Sequence, residues 1–478
     1  MGIARFSAVA SALLALHVDS SVADLVTYDW RVTSLSNEYD GVFIHSLGIN
    51  DKPADQAEVE VRVTNEIDEP TCLHWHGLKQ LGTQEMDGTS EITQCHIAPN
   101  ATAIYRFMPD KAGTFWWHSH HMAQYAFGLR GPLDWEKDID GEYTIQMADL
   151  YHRHPLPTRM WDNILINNRG RHLSKFHFQA GNKYLLRLIN MAALSPIVFS
   201  IDDHEFQVVA ADGDHLQPSK LINSVTLNAG QRYDIVVEAK PPQTRTRLVL
   251  FGCVQTDFTA FRGREEPLRS LVRVTPLKAS QSSPMKLGNE ADPTSQKQQN
   301  LTTVSEFDSC LYSDCASEVA SDRAVLQFKM QDGLGHFAID GDRAASANAN
   351  ARKIELGKHI EVVLVNVKDE QHPFHMHTHS PWVVGSGVAS IDQIRNKQLP
   401  PLKLLNPMTR DVYTVPPCTS DGKGGCLDAG YLAGLSMILV EGEEELQQKG
   451  VSAFSNTILS VCGSNSKFSP SNSTMHAL

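Results

Sequence analysis

The 478-residue sequence predicts an all-β protein assembled from three consecutive β-sandwich domains. Three observations carry that reading. Short β-rich runs separated by Gly, Pro and Asn dominate the chain to about residue 275, with no long amphipathic helix among them. An apolar strand ending in Asn occurs three times, at 59–65, 184–190 and 360–366. A stretch at 280–321, rich in Ser, Gln, Asn and Asp, precedes the third copy and reads as a polar surface connection.

Composition narrows the class. Hydrophobic residues make up 41% and charged residues 20%, which excludes a disordered chain, a collagen and a coiled coil. The balance of 55 acidic against 42 basic residues, with no basic run, excludes a nucleic-acid partner. Histidine is the unusual count, at 21.

In chain order, residues 1–23 read as a secretory leader. Arg5 supplies the charge, Phe6 to Leu16 the apolar run, and Ser21-Val22-Ala23 a small-x-small cleavage site. The alternative is a buried N-terminal helix. No later segment reaches about 18 apolar residues, so a secreted, extracellular monomer with no membrane partner is expected. N-x-[ST] sites at Asn100, Asn300 and Asn472 fit a glycoprotein. The first domain is expected over 24–140, where Val59, Val61 and Val63 alternate onto one face. The second is expected over 141–279 and the third over 322–445, followed by a tail at 446–478. Cys310 and Cys315 lie in the polar connection and suggest a local disulfide rather than a metal site.

The chemistry lies in the histidines. Nine residues after Asn65 comes His74-Trp75-His76, and nine after Asn366 comes His375-Met376-His377; Asn190 has no such follower. A site shared by the first and third domains follows. A further pair is His118/His120. On a strand, residues two apart face the same way, so each pair aims two imidazoles at one place. One pair alone is more often structural; three pairs point to metal. Six imidazoles without clustered carboxylates argue against Ca and Mg, and more than four exceed one tetrahedral Zn site. A multinuclear copper cluster fits best. His152, His154, His336 and His379 read as structural or surface residues.

These residues carry a family resemblance. Leu73-His74-Trp75-His76-Gly77, Trp117-His118-Ser119-His120 and His372-Pro373-Phe374-His375-Met376-His377 resemble three of the four copper motifs of the multicopper oxidases, most closely laccases of oomycete type. Met86-Asp87-Gly88, Ile92-Thr93-Gln94-Cys95, Gly128 to Leu133 and Ala229 to Asp234 also resemble that family, over about residues 25–445. The resemblance implies three cupredoxin-like Greek-key sandwiches. It implies a type-1 copper that takes electrons singly from phenols or aromatic amines. It implies a trinuclear type-2 and type-3 centre that reduces dioxygen to water. His74 and His375 match type-2 ligands, His76, His118, His120 and His377 match type-3 ligands, and His372 matches a type-1 ligand. Asp87 matches an acidic residue that relays protons; an Asp-Gly turn explains it equally well. Cys95 matches a cysteine that pairs near the C-terminus, with Cys462 the partner by position and Cys72 or Cys253 the alternatives. A metal-ion oxidase of the same family and a non-catalytic extracellular copper-binding protein are the rival readings.

The family's fourth motif, His-Cys-His, is missing. After His379 the only histidine is His476, and Cys418, Cys426 and Cys462 have no His neighbour. In the first domain His118 and His120 lie ten and eight residues before Gly128; the same offsets from Gly434 give Gly424 and Cys426. The third domain is therefore expected to lack two strands. A blue-copper site needs two His and a Cys thiolate, so the type-1 copper and turnover are expected to be lost. Either a coding segment dropped out when the gene was read, or the chain is a natural variant without oxidase activity.

Overall fold

The computed structural model describes residues 25–39, 42–48, 58–134, 141–152, 161–170, 174–240, 247–252, 269–276, 322–330, 337–339, 351–354, 356, 360–366, 372–385, 396, 398, 407–415 and 438–449. Strands dominate them. Among the described residues one short α-helix, Glu443–Lys449, crosses the expected domain end at 445. Among the described residues no helix is long and apolar enough to cross a membrane.

The described residues of 25–134 hold β1 (Leu25–Tyr39), β2 (Val42–Gly48), β3 (Glu58–Asn65), β4 (Leu73–His76), β5 (Thr102–Phe107), β6 (Thr114–Ser119) and β7 (Arg130–Asp134). They form one sheet in the order β2-β1-β3-β5 and a second in the order β4-β6-β7. Alternation puts Val59, Val61 and Val63 inside with Tyr28, Trp30 and Val32 of β1. The facing sheet supplies Trp75 and Trp117, whose rings lie 5.6 and 5.0 Å from Trp30. The tryptophans thus close one core between the sheets and fix the level of β4, which is buried throughout.

Residues 141–276 add β8 (Glu142–Leu150), β9 (Asn163–Ile166), β10 (Lys175–Phe178), β11 (Lys183–Asn190), β12 (Ile197–Ile201), β13 (Phe206–Ala211), β14 (Asp214–His215), β15 (Ser224–Leu227), β16 (Arg232–Glu238), β17 (Arg247–Gly252) and β18 (Arg269–Pro276). A six-stranded sheet, β14-β13-β16-β11-β8-β9, packs on a five-stranded one, β10-β18-β17-β12-β15.

Residues 322–441 add β19 (Asp322–Met330), β20 (Phe337–Ile339), β21 (Ala351–Ile354), β22 (Ile360–Asn366), β23 (His372–His375), β24 (Trp382–Val383), β25 (Met408–Thr409), β26 (Val412–Val415) and β27 (Ile438–Glu441).

The Asn-terminated repeat has a structural basis. Its three copies are β3, β11 and β22, and each runs parallel to an earlier strand: β1, β8 and β19. Asn65 Nδ2 donates to the carbonyls of Glu69 and Ile97 at 2.8 and 2.9 Å, and its Oδ1 accepts from Ile67 N at 3.1 Å. Asn190 repeats the pattern: Nδ2 donates to Ser195 O and Leu227 O at 2.9 Å each, and Oδ1 accepts from Ala192 N at 2.9 Å. A buried loop start leaves backbone groups that a primary amide satisfies with both its ends. Among the described residues β22 ends its sheet, whereas β3 continues to β5 and β11 to β16. The segment expected to lack two strands, 416–437, lies outside the described residues.

Candidate metal centre

β4 and β6 pair so that His74 faces His118 across the ladder. His76 follows on the same face of β4. His120 lies one residue past the end of β6, and its N–H reaches Cys72 O at 3.4 Å. β23 brings His375 opposite Val412 of β26, and the chain then turns through Thr378, at φ 59°, with His377 just before the turn. Only the first His-x-His lies wholly on a strand. In the other two the second imidazole sits beyond the strand end, held by the following turn.

The six imidazoles converge. His74 ring centroids lie 4.1 to 5.6 Å from those of His76, His118, His120, His375 and His377. Three interlocking sets have all their donor atoms within 4.8 Å of one another: His74, His375 and His377; His74, His76 and His118; and His76, His375 and Asp411. Among the described residues none of these sets draws on residues 141–276.

Backbone acceptors fix the tautomers. His74, His118 and His375 each donate Nδ1–H to a carbonyl, of Asp87, Ser119 and Asp411, at 2.8, 3.0 and 3.1 Å. A carbonyl only accepts, so each Nε2 keeps its lone pair. The Nε2 atoms of His74 and His375 then face one another at 3.3 Å. Two facing lone pairs repel unless a cation lies between them, and this is the geometry a metal requires. Burial holds the rings of His76, His118 and His120 well below the usual histidine range, and neighbouring imidazoles push the same way. Burial and His74 lower His377 to about 4, against the pull of Asp87. Neutral imidazole is the ligand form.

Two carboxylates support the cluster. Asp87 closes a short 3-10 helix, Gln84–Asp87, capped by Gly88 at φ 87°. A Cβ on Gly88 would stand 1.7 Å from Leu73 O, so only glycine lets the turn reach β4. Asp87 Oδ2 accepts from His377 Nδ1 at 2.9 Å and Thr89 Oγ1 at 2.7 Å. Burial works against its ionisation, and the charge and hydrogen bonds of His74 and His377 more than offset this. The Asp-Gly turn and the inward carboxylate are therefore both real.

The second carboxylate, Asp411, was not read from the sequence. Its oxygens lie 3.3 Å from His76 Nε2 and 3.4 Å from His375 Nδ1. Arg232 clamps it, Nη1 and Nη2 donating at 2.6 Å each. Burial would raise this carboxyl; Arg232, then His375 and His76, hold it well below the usual range. Asp212 accepts in turn from Arg410 Nε at 2.8 Å, Arg232 N at 2.8 Å and Val412 N at 3.1 Å. The available signal was an adjacent Arg410-Asp411 opening an apolar strand, together with Arg232 in a stretch quoted above only for resemblance.

His372 is buried on β23 but belongs to none of these donor sets among the described residues. Cys72 is a free, buried thiol whose ionisation burial pushes up to about 11. His379 is exposed beside Glu441, and His152 lies 4.0 Å from Asp162.

Three family models, each described as multicopper oxidase, match residues 49–137, 114–251 and 320–421, together more than half the chain. The chain belongs to the multicopper oxidase family. Laccase-1 of Fomitopsis schrenkii is 38% identical over 37% of this chain, and the match spans only 36% of that laccase's length. An iron transport multicopper oxidase of Schizosaccharomyces pombe is 27% identical, over 82% of this chain and 70% of the relative. Laccase-1 of Botryotinia fuckeliana is 29% identical over 75% and 68%. Among solved structures, Fet3p, a multicopper oxidase that functions in iron import, superposes with a TM-score of 0.76 at 21% identity, covering 92% of this chain and 94% of that one. The laccase of Botrytis aclada gives 0.71 at 22%, covering 92% of each. At these identities the structures establish the shared fold.

Multicopper oxidase membership implies copper centres. The six-imidazole donor set, with its turned-out lone pairs, fits the trinuclear part of them. His372 shares no set of three such donors among the described residues.

Proposed function

We propose that this chain is a secreted, laccase-like multicopper oxidase of three cupredoxin-like domains, over 24–140, 141–279 and 322–445. It holds copper at the six-histidine cluster but, as written, does not oxidise phenols or aromatic amines. The observation that carries this is the convergence of His74, His76, His118, His120, His375 and His377 in a chain without a His-Cys-His motif. Bound copper supplies one-electron redox chemistry and the place where dioxygen is reduced to water. His74 and His375 fill the type-2 role, and His76, His118, His120 and His377 type-3 roles. Asp87 Oδ2 holds and passes protons beside His377. His372, three residues from His375, takes the type-1 histidine role.

Secretion is supported by the leader pattern and by the exposed Asn100, whose φ of 62° puts the glycosylation site on a turn before β5. Cys95 is disulfide-bonded. Cys72 is free, so it is not the partner. We assign Cys462, which lies outside the described residues.

The test expresses the full chain, loads it with copper, and measures metal content, visible absorbance and phenol-dependent oxygen uptake. Bound copper with no intense blue band and no uptake is expected. A thiolate-to-copper band with turnover would show that Cys426 or another Cys serves the type-1 site. A metal-ion oxidase is the second reading, favoured by the iron-transport relative and the iron-import structure. Inserting a His-Cys-His segment before Gly434 and comparing Fe(II) with a phenol as reductant separates the two.

A further inference from the structure

Backbone carbonyls hold three of the clustered imidazoles, but not His76. His74, His118 and His375 each give Nδ1–H to a carbonyl at 2.8 to 3.1 Å. His76 Nδ1 faces His118 Nε2 at 3.4 Å. Its Nε2 makes no hydrogen bond among the described residues, and Asp411 lies 3.3 Å off. The torsion that turns an imidazole about its Cβ–Cγ bond is broad and soft, so a ring without such an anchor does not keep its nitrogens on target unaided.

Packing supplies the anchor. The Trp116 indole lies 4.2 Å from the His118 ring at 28° and 4.8 Å from the His76 ring at 35°. His375 stacks on His76 at 3.6 Å and 12°. Trp116 is fixed in turn by residues of 141–276. On β8 and β11, Met147 and Leu188 point into the sandwich core, so Ala148 and Ile189, one residue on, face the opposite way. With Met191 they share a small buried cluster with Trp116. The indole Nε1 is buried and has no hydrogen-bond partner among the described residues, so packing sets its plane. The same segment supplies Gly230, at φ 81°, where a Cβ would stand 3.1 Å from His76 Cε1. Only glycine lets that turn close so near the imidazole.

We propose that Trp116 and Gly230 are positioning residues of the metal centre. Segment 141–276, which gives no donor to the three sets, presses the indole against His76 and His118 and closes the Gly230 turn on His76. Both imidazoles are thereby held in ligating planes before a metal arrives. This rests on the reading of the six histidines as a copper cluster; the packing does not.

The test compares full-length wild type with Trp116→Phe, Trp116→Leu, Gly230→Ala and Gly181→Ala. Phe keeps a flat ring and breaks no hydrogen bond among the described residues; Leu keeps an apolar side chain without the ring. Gly181, at φ 85°, has open space where its Cβ would stand and controls for backbone strain. Copper affinity is read by competition with a chelator. Histidine-labelled nuclear magnetic resonance of the metal-free chain reads the ring-current shift that a stacked indole imposes on an imidazole. Both Trp116 variants are expected to melt lower, by similar amounts. Trp116→Leu is expected to bind copper roughly tenfold more weakly and Trp116→Phe within about twofold of wild type. Gly230→Ala is expected to weaken binding and Gly181→Ala to leave it unchanged. Wild-type affinity in Trp116→Leu, or an equal loss in Trp116→Phe, overturns the role of Trp116. Equal loss in the two glycine variants overturns that of Gly230. A wild type that binds no copper sinks the cluster reading instead, and the imidazole signals then decide. Upfield signals lost in Trp116→Leu and kept in Trp116→Phe uphold the positioning; signals unmoved in both overturn it.

Discussion

Asp411 stands between a guanidinium and two imidazoles, and it is buried on every side. Asp411→Ala removes the bidentate partner of Arg232 and leaves that buried guanidinium to share Asp212, 3.7 Å away, with Arg410, so a loss of about 3–5 kcal/mol is expected by urea denaturation of the metal-free chain. His74→Ala in the same chain should cost far less stability but abolish most copper retention. A small effect of Asp411→Ala would mean that Asp212 alone compensates Arg232. The buried imidazoles also set a pH dependence. His76, His118, His120 and His377 protonate less readily folded than unfolded, so the unfolded chain binds more protons below about 6.5. Stability of the metal-free chain should therefore fall as pH drops from about 6.5, with the share of His377 spent once it protonates near 4. Urea midpoints at successive pH values in the presence of a chelator check this; a flat profile would contradict the burial argument. The histidines were legible in the sequence because period-two spacing is local. Asp411 was not, because its meaning comes from Arg232, 179 residues away.

At the scale of elements, the turn at Gly88 and the Asn-capped strands carry the design. Gly88→Ala drives a methyl into Leu73 O and forces an unfavourable φ, so β4 must shift. Copper retention should drop together with the thermal midpoint, whereas Gly82→Ala, at a similar positive φ but in open space, should lower only the midpoint, and modestly. Asn65→Ala and Asn190→Ala each remove three hydrogen bonds to backbone groups, and each is expected to cost about 1–3 kcal/mol by chemical denaturation. Equal penalties at the two positions would confirm that one device is used twice. The strand repeat was readable from its pattern, and the Asn was noticed. Its purpose was not readable, since the carbonyls it serves come from residues far along the chain, such as Ile97 and, at the end of β15, Leu227. Strand ends were also illegible: alternation alone does not say that β6 stops at Ser119 and β23 at His375.

For the whole molecule, Arg187 ties the segments as Arg232 does. It donates to Thr114 Oγ1 and Asp234 at 3.0 Å each, and also to Glu142. Arg187→Ala should therefore lower the cooperativity of unfolding, read as separate transitions in calorimetry, and not merely the midpoint. The described core did not require the missing motif to be seen, because the cluster draws its ligands from β4, β6 and β23 and the turns beside them. What the sequence could not show is how the middle third braces the other two through Arg232, Asp212 and Gln231, whose Nε2 donates to Val412 O at 3.1 Å.

His74 and His375, whose Nε2 atoms meet, are 301 residues apart along the chain. Contacts of such separation form late, after both neighbouring regions have found their own shape. No copper site of this kind exists on a nascent or half-folded chain, and early metal finds only scattered imidazoles. Retained copper is therefore a certificate of completed folding: a molecule that carries the metal has already passed its slowest step, and one that has stalled stays empty.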